Sequence, residues 1–548
     1  MAKNNFSFNN LLVFLILYLV LLPCLSLGQV STDLPIDTLK KLSLEELMNI
    51  EITVTSVSRQ PEKLSEVASA IQVITRQDIL RSGATSLPEA LRLASNLQVS
   101  QINSYAHVIS ARGFNAIFSN KFLVMIDGRV VYSPLFAGVF WDAQSVLLED
   151  IERIEVISGP GVTAWGANAV NGVINIITRS AKDSQGLYLS ASKGTFLENF
   201  GAARYGGKIS DNFHYRIYAQ HFDRSNTFFP QDSLNTDKWR FTQTGFRSDW
   251  QVNSANSLIL YGNLYFGKEY TFPSASSIDG QNVLARWTHN FSDSSQFIAQ
   301  AFFDRTWRED IPSTISDELY TYDIEFQHQF YIKKRHNIIW GGGYRFMADN
   351  TINATPIVGF VPAKRNMPLY SSFIQDEISL MKSKLKFIIG TKLQHNVFTD
   401  FEIQPNVRFA WTPIHNHTVW GAVSRAIRAP SRIDVDYHIP VLPVPPTVQS
   451  VAGGPNFRSE TLIAYELGYR FQPTEKLSLS LASFYNFYDN LYTVEALPGT
   501  LTYQIQNGAL GETRGIELSG AYQLLKNWRL RGGYTYFHKD LRTKPEHT

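Results

Sequence analysis

From Gln185 onward, the last 364 residues of this chain are built of segments whose side chains alternate between two faces. In 258–266, for example, Leu264 and Phe266 fall on an apolar face and Tyr261 falls on the opposite, mixed face. A period of two residues with one apolar face is typical of strands in a transmembrane barrel and also of strands in a soluble sandwich. The alternation therefore predicts a very large sheet and leaves these two architectures open.

The links between these segments alternate in length, which separates the two architectures. The short, polar links are 208–212, 254–256, 291–295, 333–336, 381–384, 415–417, 473–476 and 526–527. Most of the others are long: 225–238, 268–281, 350–367 and 428–458. Short turns on one rim and long loops on the other are typical of a membrane barrel, and a sandwich has no reason to keep this order. The sequence therefore predicts an antiparallel transmembrane β-barrel over residues 185–548, with about 17 visible strands.

The composition excludes several classes of protein. Fifty Lys and Arg residues against 48 Asp and Glu residues give a net charge of +2, whereas a nucleic-acid-binding protein normally carries a strong basic excess. The single cysteine, Cys24, excludes a disulfide framework and a Cys-rich metal site. We recognise no nucleophile–base arrangement, so we predict that the protein is not an enzyme and has neither a cofactor nor a metal site.

Residues 1–28 have the features of a secretory signal peptide. The apolar run 11–22 is twelve residues long, too short to cross about 30 Å of hydrocarbon. Ser26 and Gly28 are small residues at the positions that precede a cleavage site, and Pro23 disfavours lipid attachment at Cys24. We predict cleavage after Gly28, so that residues 29–60 form an N-terminal segment in the periplasm.

Residues 61–184 are predicted to form a compact α/β domain. Strands are expected at 70–75, 107–110, 122–126, 151–157 and 172–178, with a helix at 86–94. The glycine-rich segment 158–168 has neither the lysine of a phosphate-binding loop nor a dinucleotide fingerprint, so its glycines are expected in tight turns.

A short β-branched segment precedes this domain. It consists of Glu51, Ile52, Thr53, Val54, Thr55 and Ser56 and has no obvious partner strand nearby. By itself, this pattern predicts an extended edge strand.

Several motifs resemble those of TonB-dependent outer-membrane receptors. In the α/β domain these are RGF at 112–114, VMIDGR at 124–129, IERIEV at 151–156, GPG at 159–161 and WGANAVNGVIN at 165–175. In the barrel these are SRAIRAP at 424–430, PNFRSE at 455–460, YELG at 465–468 and RGIE at 514–517. Because the motifs follow the family's order, the chain is identified as a member of that family, with an α/β plug domain inside the barrel.

The resemblance has a consequence for the length of the chain. The family has a 22-stranded barrel, so about five strands, on the order of 100 residues, are not accounted for. The odd strand count points the same way, because an open barrel in lipid leaves costly unpaired edges. We therefore expect that C-terminal strands are missing from this sequence.

The resemblance implies active import of a scarce ligand across the outer membrane of a Gram-negative cell, with outer-membrane lipid around the barrel. A ferric siderophore is the expected ligand, and cobalamin or another metal complex is the alternative. Segment 51–56 lies where the family carries its TonB box, which pairs as an added strand with TonB, itself energised by ExbB and ExbD in the inner membrane. A passive porin or adhesin would lack the plug motifs, a signal transducer would need a folded domain within 29–50, and only the truncation favours an inert remnant.

The resemblance also implies ion pairs between plug and barrel. Plug arginines of the family pair with glutamates of the inner barrel wall, and Arg112, Glu466 and Glu517 occupy such positions. Ser158 stands where the family often has an arginine before Gly-Pro, and Arg153 is expected to compensate.

Ligand contacts are expected from two apical plug segments, 103–107 and 132–142. Their candidate residues are Tyr105, His107, Tyr132, Phe136, Phe140 and Trp141. These side chains could equally pack the plug against the barrel, and the sequence leaves both roles open.

Overall fold

The computed structural model describes residues 53–547 apart from 58, 161–164, 229–232, 272–273, 311–314, 354–358, 440–449, 475 and 526–527. The predicted signal peptide, the rest of the N-terminal segment up to residue 50, and Glu51 and Ile52 lie outside the described residues. In the described part of the chain, no helix is long and apolar enough to cross a membrane.

The first part of the described chain is the plug. Its strands are β1 (Thr53–Val54), β2 (Glu62–Lys63), β3 (Ala70–Thr75), β4 (Gln98–Gln101), β5 (His107–Ser110), β6 (Phe122–Ile126), β7 (Arg129–Val130), β8 (Ile151–Ser158) and β9 (Gly172–Thr178). Its helices are α1 (Arg76–Ser82) and α2 (Leu87–Leu91), with 3-10 turns at Leu64–Glu66, Trp141–Ala143, Leu148–Asp150 and Lys182–Ser184.

One five-stranded sheet, in the order β3-β8-β9-β6-β7, forms the centre of the plug. One set of its apolar side chains packs against α1 and α2 in one core, and a second set forms another cluster with Val54 and Val57. All five predicted plug strands are confirmed, and the helix predicted at 86–94 is confirmed in a shorter form that begins after the N-cap residue Ser86. Strand β4 and helix α1 were not predicted. Helix α1 begins with a capping box between Thr75 and Asp78, directly after a strand, so no loop marks its start.

The second sheet contains twenty strands. They are β10 (Gly186–Ser192), β11 (Leu197–Ser210), β12 (Phe213–Arg224), β13 (Trp239–Gln251), β14 (Asn256–Thr271), β15 (Ser274–Ser292), β16 (Ser295–Asp310), β17 (Ile315–Ile332), β18 (His336–Asn353), β19 (Gly359–Phe360), β20 (Lys364–Leu380), β21 (Leu385–Asn396), β22 (Asp400–Ile414), β23 (His417–Arg428), β24 (Tyr437–Ile439), β25 (Ser450–Ala452), β26 (Glu460–Thr474), β27 (Leu477–Ala496), β28 (Thr502–Leu525) and β29 (Trp528–Thr543). Helix α3 (Arg432–Asp436) lies between β23 and β24, and a 3-10 turn at Pro545–His547 follows β29.

The long strands of this sheet form the barrel wall. In the described part of this sheet, seventeen strands have seven residues or more, which agrees with the predicted number. Each is antiparallel to the next, and the short strands β19, β24 and β25 lie between them on the long-loop side. Within the described residues, β10 and β29 pair on one edge only.

Six of the eight predicted short turns are confirmed, residues 475 and 526–527 of the other two lie outside the described residues, and one predicted long loop is wrong. Strand β14 continues to Thr271 and β15 begins at Ser274, so most of the segment 268–281 is a continuous hairpin. Small polar residues in 274–277 suggested a loop. Each of them has a cross-strand partner, so the ladder satisfies its backbone groups even though the apolar alternation has ended.

The alternating faces of the strands behave as the sequence indicates. On β14, Leu264 and Phe266 are 40% and 50% exposed on the outer surface, whereas Tyr261 and Tyr265 are buried against the plug. The outer surface is therefore apolar, as a lipid-facing wall requires, and the inner surface holds the plug.

Candidate functional site

The junction between plug and barrel wall is centred on Arg112. Its guanidinium donates to Glu466 Oε1 at 2.8 Å and to the two oxygens of Glu517 at 2.9 and 3.2 Å. The side chain has no exposed surface and lies 4.2 Å from the ring centre of Phe484. Burial alone would lower the pKa of Arg112, but the two carboxylates outweigh burial and hold the pKa above its usual value.

A glycine lets this pair form. Gly159 has φ of +84°, and a Cβ at this position would lie 2.2 Å from Glu466 Oε1. Only glycine therefore fits between the plug backbone and the Arg112–Glu466 pair.

Among the described residues, Arg153 pairs within the plug and not with the barrel wall, contrary to the prediction. Its guanidinium donates to Glu155 at 2.8 Å and to Glu152 at 2.7 Å, both on its own strand β8. Residues two apart on a strand share one face, so Glu155 lies within reach of Arg153. Near Ser158, the contact between plug and wall comes from a barrel arginine instead. Arg408 donates to the carbonyl of Pro160, two residues after Ser158, at 2.9 Å.

Further ion pairs across the junction escaped the sequence analysis. They are Lys121–Glu460, Arg129–Asp304, Asp142–Arg308, Asp150–Arg204 and Glu89–Arg224. The inward, polar face of each barrel segment was visible in the alternation. The partners lie far apart in sequence, so only the assembled fold brings them together.

The described residues 53 and 54 of the segment 51–56 have a partner strand, contrary to the sequence-based expectation. Thr53 and Val54 pair with Lys63 and Glu62 of β2, and Val54 is fully buried in a cluster with plug core residues. Strand β2 has two charged residues and no alternation, so no pattern in the sequence indicated it.

The six candidate ligand residues fall into two groups. Phe136, Trp141 and His107 are buried, Trp141 within the plug core, and burial lowers the pKa of His107 to about 4. The position of Trp141 in the plug core favours a packing role over contact with the ligand.

The other three candidates lie between plug and wall. Tyr105 shares a hydrogen bond of 2.9 Å with Thr271, and the ring of Phe140 lies 4.3 Å below the guanidinium of Arg308. Tyr132 lines a cavity of about 100 Å³ between plug and wall, and burial raises its pKa to about 12.

The sequence analysis did not identify one exposed apolar pair. Ile117 and Phe118, between β5 and β6, are 71% and 54% exposed. Phe118 begins a chain of rings, with centroids 5.4 Å from Phe118 to Phe136 and 4.8 Å from Phe136 to Phe140. Two consecutive apolar residues between two predicted strands could have indicated this exposed apolar surface.

A long loop of the barrel is fastened to the plug. At the start of α3, the backbone N–H groups of Arg432 and Ile433 donate to the carbonyls of Pro134 and Leu135 at 2.9 and 2.8 Å. The plug surface beneath this loop is therefore tied to the long-loop rim of the barrel.

Together, these features define a plugged β-barrel receptor of the outer membrane. A family profile described as "TonB-dependent Receptor Plug Domain" matches residues 63–173, and one described as "TonB dependent receptor-like, beta-barrel" matches residues 177–547. The chain belongs to the TonB-dependent receptor family.

Two kinds of relative are similar in sequence. The vitamin B12 transporter BtuB of Vibrio vulnificus is 34% identical over 168 residues, covering 30% of this chain and 27% of the relative. The iron-regulated outer membrane virulence protein of Vibrio cholerae is 24% identical over 548 residues, covering 89% and 78%. The chain spans less than two thirds of the vitamin B12 transporters that it matches, including 62% of that of Vibrio cholerae.

A solved structure agrees in fold. A mutant of the ferric enterobactin receptor PfeA of Pseudomonas aeruginosa, in complex with enterobactin, has a TM-score of 0.71 and 15% identity, covering 86% of this chain and 81% of that one.

Proposed function

We propose that this protein imports a scarce ligand across the outer membrane by a TonB-driven movement of the plug. The observation that carries the proposal is the closed junction. Three cavities that described residues of the plug and the wall line have volumes of about 100, 40 and 30 Å³. Pockets for ligands of drug size span roughly 300–1,000 Å³, so a siderophore passes through none of these three unless the plug moves. The outer membrane holds no ATP, so the energy must come from the inner membrane, through TonB with ExbB and ExbD.

The segment Glu51 to Ser56 is proposed as the TonB box. Four of its six residues are β-branched, and Thr53 and Val54 already have strand conformation. A strand of this kind pairs with a partner by β-augmentation, in which backbone hydrogen bonds supply the affinity.

Val54→Pro tests this assignment. Proline removes a backbone donor and restricts Thr53, so uptake is expected to be abolished while ligand still binds to the cell surface. Val54→Ala is the matched control, because it also loses the buried side chain but keeps the N–H, and it should retain most of the uptake. Undiminished uptake by Val54→Pro would contradict the mechanism.

A ferric siderophore is the proposed ligand. The iron-regulated relative supports it because that alignment covers most of both chains. The exposed pair Ile117 and Phe118, and the rings of Phe136 and Phe140 leading to Arg308, offer an apolar surface beside a cation. Tyr105 and Tyr132 remain proposed contacts at its edges. Cobalamin is the second candidate, because the 34% identity is to a vitamin B12 transporter.

Regulation and uptake separate the two ligands. The abundance of the protein in isolated outer membranes should rise strongly in iron-starved cells, and these cells should accumulate siderophore-bound ⁵⁵Fe. A flat response to iron with uptake of labelled cobalamin would favour the second candidate.

A substitution tests the proposed contact surface. Phe118→Ala should weaken ligand binding about tenfold. Phe401→Ala, which removes a ring that is 79% exposed on the barrel, is the control and should leave binding unchanged.

A further inference from the structure

One buried carboxylate of the plug holds the end of the segment 51–56. Glu155, on β8, has no exposed surface. Its Oε2 accepts hydrogen bonds from the backbone N–H of Thr55 at 3.0 Å, from the backbone N–H of Ser56 at 2.8 Å and from the Ser56 hydroxyl at 2.5 Å. Two consecutive backbone donors and a hydroxyl therefore converge on one anionic oxygen, an arrangement that makes strong, charge-assisted bonds.

The remaining groups around Glu155 complete a site for this segment. Arg153 donates to Oε1 of Glu155 at 2.8 Å and fixes the carboxylate in place. Trp165 Nε1 donates to the carbonyl of Ser56 at 2.6 Å, and Asn175 Nδ2 donates to the Ser56 hydroxyl at 2.9 Å. The main chain of residues 55 and 56 is thus bound by side chains of the plug, as an extended peptide is bound in a recognition site.

We propose that Glu155 is the positioning residue that keeps the proposed TonB box docked on the plug and unavailable to TonB. The inference rests on the proposed function of segment 51–56 as the TonB box. Added-strand pairing uses the backbone N–H groups of the added segment. An N–H that donates to Glu155 does not donate to TonB, so docking and TonB pairing at residues 55 and 56 exclude each other.

This competition sets the apparent affinity for TonB. If only a fraction of the receptors has a free box, the apparent dissociation constant is raised by the inverse of that fraction. A variant that weakens the Glu155 bonds therefore exposes the box and tightens TonB binding, although no residue that contacts TonB has changed.

The mobility of the segment can be measured directly. A spin label is attached at Thr53→Cys, an exposed position; Cys24, the single cysteine of the sequence, lies in the predicted signal peptide and is removed with it. In isolated outer membranes without added ligand, Glu155→Gln is expected to raise the mobile fraction of the label at least tenfold. Binding of the purified periplasmic part of TonB should tighten about tenfold in the same variant.

Glu152→Gln is the matched control. Glu152 lies on the same strand and also accepts from Arg153, at 2.7 Å, but its side chain is half exposed and no hydrogen bond joins it to residues 55 and 56 within the described residues. The label should stay immobile in this variant, and a mobile label would overturn the proposal.

A second variant guards against a plug that fails to fold. Ser56→Ala removes the hydroxyl bond and leaves the Glu155–Arg153 pair intact, so it should also mobilise the label, to a smaller extent. An immobile label in both Glu155→Gln and Ser56→Ala overturns the role of Glu155. A mobile label with unchanged TonB affinity supports that role and instead contradicts the assignment of 51–56 as the TonB box.

Discussion

At the scale of single residues, buried charges dominate the junction between plug and barrel. Arg112, Glu466 and Glu517 have little or no exposed side-chain surface, and each depends on the others for its partners. Removing one member of a buried ion pair is costlier than replacing all of them, because the remaining charge stays desolvated.

Arg112→Met is expected to destabilise the plug by about 3–5 kcal/mol, since it leaves two carboxylates without their cation. The transition of the plug in differential scanning calorimetry, on receptor in detergent, measures the loss. Adding Glu466→Gln and Glu517→Gln removes the stranded charges and should recover part of the stability. A triple variant no more stable than Arg112→Met would contradict this account.

His107 should make the stability of the plug depend on pH. Burial lowers its pKa from 6.5 to about 4, so between these values the unfolded plug binds a proton that the folded plug does not. The stability that the plug gains from this pKa difference is fully present above pH 6.5. It is lost as the pH falls through 4, which lowers the free energy of unfolding by about 3 kcal/mol.

His107→Gln should remove this part of the pH dependence. Urea unfolding of the plug at pH 7, 5.5 and 4, followed in both proteins, measures the difference. If the stabilities of the two proteins fall in parallel, His107 is not the titrating group.

At the scale of elements, helix α3 connects a long barrel loop to the plug. Ser431 caps it, with its hydroxyl accepting from the N–H of Asp434 at 3.3 Å, and Asp434 accepts in return from the N–H of Ser431 at 2.7 Å. The next two backbone donors bind the carbonyls of Pro134 and Leu135. The cap therefore stabilises both the helix and its attachment.

Ser431→Ala should loosen this attachment. Loss of an N-cap costs about 1 kcal/mol, so amide hydrogen exchange in residues 432–436 should rise about fivefold. Ser86→Ala, which removes the serine N-cap of α2 in the plug, is the control and should affect only the plug helix. Equal exchange at α3 in both variants would show that the cap of α3 does not hold the loop.

At the scale of the whole molecule, the barrel and the plug are stabilised in different ways. Neighbouring barrel strands are joined by long ladders of backbone hydrogen bonds, which are continuous from β16 to β18 and shift register between β27 and β28. The plug has its own apolar core, but the contacts to the wall detailed above are made mainly by side chains.

Urea should therefore unfold the molecule in two steps. Peptides from 70–178 should lose protection from hydrogen exchange at a lower urea concentration than peptides from the barrel strands. Arg112→Met should shift only the first step to lower urea. A single, concerted loss of protection would contradict this separation.

Features that depend on neighbouring residues could be predicted. The alternation along β14, the polar turns at 333–336 and 381–384, and the plug strands 70–75 and 122–126 all follow from local periodicity and turn chemistry. The Arg112 contacts were expected only through a family resemblance, since no local pattern connects residue 112 with residues 466 and 517.

Features that depend on a choice between competing partners could not be predicted. Arg153 faces Glu155 within the plug, the residues 274–277 continue a hairpin, and Val54 enters the plug core beside β2. In each case, the competing outcomes differ only in which group the fold brings close. The sheet, its two faces and its short turns could be predicted from the amino-acid sequence, because they arise from the two-residue repeat of a strand and from local turn chemistry. Which buried charges meet, and that residues 53–56 are docked on the plug, depends on the assembled fold, because their partners come from parts of the chain that folding alone brings together.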